Sequence, residues 1–127
     1  MKMLGHCDLR LLLDGRSALV LSEFWFVDPY GVRWVAPTGA VVNGASFPRF
    51  LWWIGSPFTG KYRRAAVLHD IAYDHQQSTR AEADLMKLQA MDHDGVAAWK
   101  RAAIYAAVRA FGWIAWNRAR KKQFANA

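Results

Sequence analysis

The stretch RRAAVLHDIAYDHQQSTRAEADLMKLQAM, residues 63–91, decides the fold because two helices and the turn between them can be read from it. The polar run QQS is followed by Thr79 and, three residues later, by Glu82. A threonine and a glutamate at this spacing form a capping box, in which each side chain accepts a hydrogen bond from the other residue's backbone amide. The stretch therefore predicts two helices joined by a short polar turn, with the second starting at Thr79.

Four side chains in these two helices carry the chemistry. Residues three or four apart share a helix face, so His69 and Tyr73 point the same way, while Asp70 is rotated by about 100° from His69. Asp84 is a carboxylate on an otherwise apolar face of the second helix. If the helices pack antiparallel, we expect Asp84 to meet His69, fix its tautomer and leave the other ring nitrogen as a base. Asp70 then becomes a candidate ligand for a hard cation such as calcium.

The motif AAVLHDIAY, followed by ADLMKL, resembles the catalytic core of phospholipase A2-like domains, and the viral type without disulfides is the closer match. The resemblance implies that His69 activates a water, that Asp84 orients the histidine and that Asp70 binds calcium. It also implies a glycine-rich calcium loop upstream. The matching segment GSPFTG offers Gly55 and Gly60 as backbone ligands but lacks a tight glycine cluster.

A second resemblance covers more of the chain. The motifs GASFPR, RRAAVLHDIAY, RAEAD and VRAFG, spread over about residues 36–113, look like a family of uncharacterised proteins found in bacteriophages and prophages. In that family an aspartate usually stands where this chain has Asn43, just before the Gly-Ala-Ser unit. The resemblance implies a phage or prophage protein of the host cytoplasm or the virion, and carries no established activity.

Alternating apolar and polar residues upstream of the helices predict a small antiparallel sheet. A small-residue loop follows, and Ser46 is a fair N-cap for a short helix over residues 48–54. The fold class is therefore α+β, a small N-terminal antiparallel sheet followed by three to four helices with a phospholipase A2-like helix pair. The predicted strands are residues 9–13, 19–27, 32–36 and 40–42. A single domain, 1–127, comprises a sheet region 8–42, a His-Asp helical core 46–94 and a basic C-terminal helix and tail 95–127.

Charge is strongly segregated along the chain. All ten acidic residues lie before residue 95, and the tail from there on carries the whole formal charge of +7. A helix is predicted from near Val96 to about Lys122, with a loosely ordered tail after Arg120. Its apolar part is too short to be a transmembrane segment. Trp113 and Trp116 beside a basic end suit an anionic phospholipid surface, and they equally suit packing on the sheet, with the basic end contacting nucleic acid or other phage proteins.

The remaining composition excludes other classes of protein. The single cysteine, Cys7, rules out an internal disulfide and so the disulfide framework of secreted phospholipases. No signal peptide is expected, because the first residues are not followed by an apolar run. A zinc site is not predicted, since Cys7 and His6 have no partner pair nearby.

Three functional interpretations stay open. The first is a calcium-dependent hydrolase of lipid esters that uses a His69–Asp84 dyad. The second is a non-catalytic structural or accessory phage protein, such as a virion or tail protein, in which His69, Asp70, Tyr73 and Asp84 form a buried polar network. The third is a metal-dependent phosphohydrolase of the His-Asp type, which needs further histidines in register. The other histidines are His6, His75 and His93, and His93 falls in a predicted loop.

Overall fold

The computed structural model describes residues 1–15, 17–44 and 60–125. The predicted helix over residues 48–54, its cap Ser46 and the proposed ligand Gly55 lie outside these ranges. Within the described ranges the chain forms six short strands followed by three helices, so the predicted α+β class is confirmed. The strands are β1 (Lys2–Leu4), β2 (Leu9–Leu11), β3 (Ala18–Val20), β4 (Phe24–Val27), β5 (Arg33–Ala36) and β6 (Val41–Val42).

The strands form two antiparallel sheets of three strands each, ordered β1-β4-β5 and β2-β3-β6, rather than one sheet. The predicted strand over residues 19–27 is wrong, because β3 and β4 belong to different sheets. Residues 21–23 between them are all exposed, which interrupts the alternation of buried and exposed side chains. β1, which pairs with β4 from Lys2↔Val27 to Leu4↔Trp25, was not predicted.

The helices are α1 (Arg63–His75), α2 (Arg80–His93) and α3 (Ala98–Ala125). The predicted capping box is confirmed: Thr79 Oγ1 accepts from the Glu82 amide at 3.1 Å, and a Glu82 carboxylate oxygen accepts from the Thr79 amide at 3.0 Å. α2 ends in a Schellman motif, in which Gly95 has a φ of 78°. α3 continues to Ala125, so the segment expected to be a loosely ordered tail is helical.

α1 and α2 pack antiparallel. Arg64 at the start of α1 pairs with Asp94 just after α2 at 2.7 Å, and the turn that joins the two helices lies at the opposite end. The core between sheets and helices is apolar, with Phe24 and Phe26 from the first sheet against Leu68 and Met86 from the helices. None of the helices in the described ranges combines the length and hydropathy that a bilayer crossing requires.

Candidate active site

The predicted meeting of α1 and α2 through His69 and Asp84 is observed. His69 Nε2 lies 2.7 Å from Asp84 Oδ1, and both side chains are completely buried. Tyr73, one turn after His69, donates its hydroxyl to the same Asp84 oxygen at 2.6 Å. The structure therefore brings His69, Tyr73 and Asp84 together as the helix spacing predicts, whereas their catalytic roles stay predictions.

Asp84 has donors on both of its oxygens. Arg109 Nη1 of α3 donates to Oδ2 at 2.8 Å, and Arg80 Nη1 lies 3.4 Å from the same atom. Burial raises the pKa of Asp84, but hydrogen bonds from His69, Tyr73 and Arg109 outweigh burial and hold that pKa below its usual value. Asp84 is therefore ionised at neutral pH and can only accept hydrogen bonds.

The ionised Asp84 fixes the tautomer of His69. Because Asp84 only accepts, the proton of the neutral imidazole must sit on Nε2, which leaves the lone pair on Nδ1. Burial and the charge of Lys87 lower the pKa of His69 to about 4, although the hydrogen bond to Asp84 opposes them. His69 is therefore neutral at pH 7. Its Nδ1 is buried and has no hydrogen-bond partner among the residues that the structure describes.

The third helix docks on this cluster through Arg80. Its guanidinium donates to the carbonyl oxygens of Val108 at 3.0 Å and Arg109 at 3.3 Å, and so ties α2 to α3. Gly112 allows the close approach, because a Cβ there would lie only 2.4 Å from the Tyr73 hydroxyl. α3 is thus part of the site and positions Arg109 against Asp84.

Asp70, the predicted calcium ligand, lies in a different environment from Asp84. It is 4% exposed, and its Oδ2 accepts from the Asn43 amide at 3.1 Å. Lys87 of α2 is completely buried. Burial lowers the pKa of Lys87 to about 7, although the charges of Asp70 and Asp84 favour its protonated form. Asp70, Asp84 and Lys87 are therefore three ionisable side chains that are all buried between the helices and the sheets.

The described residues do not bring the other predicted calcium ligands to Asp70. Gly55 lies outside the described ranges. The Gly60 carbonyl accepts from the Arg63 amide at 3.3 Å, and Gly60 lines a separate surface pocket beside Cys7. Within residues 1–15, 17–44 and 60–125 no group of three or more His, Cys, Asp or Glu side chains could hold a metal ion.

Three residues of this cluster were not predicted, although each left a signal. Arg80 precedes Asp84 by four positions, so the two share a face of α2. Lys87 follows Asp84 by three positions and shares that face too. Arg109 is the only charged residue between Ala102 and Trp116, on a helix that is otherwise apolar there. Their partners could not be named, because the contacts depend on how three helices pack.

Comparison with known proteins identifies the family. Residues 18–108 match a family model described as "Protein of unknown function (DUF1353)". The chain belongs to this family. The DUF1353 match contains His69, Asp70, Tyr73 and Asp84 and ends one residue before Arg109. The expected membership of an uncharacterised family is thus confirmed.

Two similar proteins come from Sinorhizobium fredii (strain NBRC 101917 / NGR234). "Uncharacterized protein y4jT" is 40% identical over 92 residues, which cover 72% of this chain and 27% of that protein. "Uncharacterized protein y4iH" is 34% identical over 100 residues, which cover 78% of this chain and 42% of that protein. The chain therefore spans less than half the length of either relative. No solved structure matches the chain significantly.

Proposed function

We propose that this protein is a hydrolase of carboxylic esters, in which His69 and Asp84 activate a water molecule. One observation carries the proposal: His69 presents a buried Nδ1 lone pair that no described residue occupies, while Nε2 is held by Asp84. Buried polar atoms normally have a partner. A histidine that only braced the fold would be expected to use both nitrogens, whereas a general base keeps one for the water.

The chemistry follows from this arrangement. His69 Nδ1 removes a proton from a water whose oxygen attacks the ester carbonyl carbon, which forms a tetrahedral oxyanion. When that intermediate collapses, the C–O bond to the alcohol breaks, and the imidazolium returns its proton to the leaving oxygen. The ionised Asp84 stabilises the imidazolium between these two steps. The products are a carboxylic acid and an alcohol, with no net change in His69.

Lipid esters are the proposed substrate class. The sequence resemblance to phospholipase A2-like domains supports this choice, and so does the surface of α3. Trp99, Trp113 and Phe124 are more than half exposed on that helix, whose second half is rich in lysine and arginine. Aromatic side chains beside basic ones favour an anionic phospholipid surface. The phage or prophage setting, and contacts with other phage proteins or nucleic acid, stay predictions.

A non-catalytic role is the second candidate, and the coordination of Asp84 favours it. Asp84 is completely buried and contacts donors from α1, α2 and α3, which is what a network that locks three helices together requires. In this alternative the cluster serves stability alone, within a structural or accessory protein.

The test is release of fatty acid from vesicles of mixed anionic and neutral phospholipid. Wild type is compared with His69→Asn, and His75→Asn serves as the control because His75 is an exposed histidine of the same helix. We expect release by wild type and by the control, with a loss of at least about 100-fold in His69→Asn. No release by wild type, together with a lower Tm of His69→Asn, would favour the structural candidate.

A further inference from the structure

A groove lies beside β5, between that strand and the first two helices. It encloses about 630 Å³, and four consecutive residues, 32–35, line it on the strand side. Leu68 and Ile71 of α1 and Leu85 of α2 line it on the helix side. His69 and Asp84 are not among the described residues that line it. The groove is therefore a second concave surface, bounded by a strand on one side and by apolar helix residues on the other.

The strand that lines this groove has an open edge. β5 is an outer strand of its sheet, and in the described part of the chain only β4 pairs with it. The Asp28 amide donates to the Val32 carbonyl at 2.9 Å, and bonded positions recur at every second residue of an antiparallel pair. In the observed register Trp34 therefore bonds to β4. The amides and carbonyls of Arg33 and Val35 consequently point away from β4, toward the outer edge.

The open edge and the groove together fit an extended peptide. A donor and an acceptor at alternate residues are what the backbone of an added strand satisfies, and this is a recurring mode of peptide binding. Side chains of directly opposite residues lie on the same face of a sheet. Trp34 lies on the face of Phe26, which packs against the helices. A peptide residue opposite Trp34 would therefore direct its side chain toward Leu68 and Ile71.

The groove also limits the length and pattern of such a peptide. β5 has four residues, which at about 3.4 Å each span about 14 Å. The turn at Gly31 precedes the strand, and Pro37, which follows it, has no amide to donate. Pairing is therefore limited to about four residues. Alternate residues of the peptide face the apolar helix side of the groove, and the residues between them face solvent.

We propose that this groove binds an extended peptide of a partner protein, which adds as a strand to the outer edge of β5 and places apolar side chains at alternate positions against α1 and α2. The inference goes beyond the proposed function. It uses neither His69 nor Asp84, and it stands whether or not the protein hydrolyses esters.

Selection from a library of random linear peptides tests the groove, with the Kd of enriched peptides measured by fluorescence polarisation. Val35→Pro removes an outward amide without removing a bond to β4, and an edge strand tolerates proline at such a position. Val35→Thr keeps the amide and is the matched control. We expect enriched peptides with apolar residues at alternate positions, and a Kd at least about tenfold weaker for Val35→Pro but not for Val35→Thr. No enrichment, or the same Kd for both variants, would overturn the proposal.

A variant on the helix side tests the groove without changing the strand. Ala72 of α1 lines the groove and is half-buried, so Ala72→Leu fills part of the space that a peptide side chain would take. We expect the Kd of the enriched peptides to weaken at least about tenfold. This variant decides the matter if Val35→Pro lowers the Tm. An unchanged Kd in Ala72→Leu would place the peptide elsewhere and overturn the proposal.

Amide hydrogen exchange locates the bound peptide. In the free protein the amides of Arg33 and Val35 should exchange rapidly, and the amide of Trp34 slowly, because only the last bonds to β4. A saturating enriched peptide should slow exchange at Arg33 and Val35. Protection confined to other surfaces would overturn the proposal. A wild-type dimer that Val35→Pro converts to a monomer in analytical ultracentrifugation would also overturn it, because a second copy of the chain would then occupy the edge.

Discussion

Two buried carboxylates, Asp28 in the sheet region and Asp84 in the helices, serve different ends. Asp28 accepts from the amides of Tyr30 and Val32 and from the indole of Trp34, at 2.9 to 3.1 Å, all within six residues along the chain. It is a closed local unit that shapes the turn between β4 and β5. Asp84 contacts partners up to 25 residues away.

The two carboxylates differ in whether a bonded partner keeps a second polar atom that can take part in chemistry. In the described residues the donors to Asp28 are two backbone amides and one indole. Asp84 instead orients a histidine whose other nitrogen has no partner in the described residues. A carboxylate that closes a turn stabilises one loop. A carboxylate that accepts from donors on three helices can both join the helices and orient a histidine to act as a base.

The largest expected effect comes from Asp84→Asn. The amide keeps the size of the side chain but leaves the guanidinium groups of Arg80 and Arg109 without their carboxylate. We expect the free energy of unfolding to fall by about 3 kcal/mol, measured by urea denaturation, and hydrolysis to fall with it. Asp74→Asn, at an exposed carboxylate of α1, is the control and should change little. Equal losses of unfolding free energy in the two variants would contradict the central role of Asp84 in joining the three helices.

Gly112→Ala should have the next largest effect. The added methyl group would lie 2.4 Å from the Tyr73 hydroxyl, so α3 or the tyrosine must move and the bond to Asp84 is strained. We expect a loss of about 2 kcal/mol in urea unfolding, although alanine is the better helix former. The same substitution in a Tyr73→Phe background should cost clearly less, because the contacting oxygen is gone. If Gly112→Ala costs the same free energy of unfolding in both backgrounds, the strain does not come from the contact with the Tyr73 hydroxyl.

Asp28→Asn should produce a smaller loss, limited to stability. An asparagine oxygen can still accept amide hydrogens, but its NH₂ group faces the Trp34 indole donor. We expect a loss of about 1 kcal/mol in urea unfolding with vesicle hydrolysis unchanged. A fall in hydrolysis comparable to that of Asp84→Asn would mean that the two carboxylates are coupled, and would break the comparison between them.

The smallest expected effect is that of mildly acidic pH, below the pKa of about 7 of Lys87, on the hydrolysis rate. Because the pKa of His69 is lowered to about 4, the base is unprotonated at neutral pH, and the hydrolysis rate should change little until the pH nears that value. The stability of the fold also decreases as the pH decreases. Between about pH 4 and 6.5 the unfolded chain binds a proton at His69 that the folded chain does not, so stability falls as pH falls through that window. His69→Asn should flatten this slope in urea unfolding measured across the window. A rate that declines near pH 6.5 would mean that His69 titrates as an exposed histidine does.

Local signals predicted local structure well. The capping box at Thr79 and Glu82 located the start of α2, and helical spacing placed His69 and Tyr73 on one face. The division of the strands was missed because Leu21 is apolar yet exposed, and its neighbours in sequence do not reveal this. Whether the chain crosses from one sheet to the other between two strands depends on how both sheets pack, and no short segment of sequence encodes that packing.

The charges of the site were harder to predict than its shape. Lysine usually lies on the solvated face of a helix, yet the assembled fold leaves Lys87 completely buried. Arg109 becomes a partner of Asp84 because α3 crosses closely at Gly112. Both features follow from the assembled fold rather than from any motif.

The hydrogen bond from Arg109 to Asp84 joins residues that are 25 positions apart, and this also sets an order of events during synthesis. The ribosome delivers His69 and Asp84 well before Arg109, so a nascent chain that ends after α2 holds a carboxylate and a histidine without the helix that covers them. Arg109 can donate to Asp84 only when α3 has emerged and docked. Under the proposed function, we expect a growing chain to become fully active only after α3 has been translated.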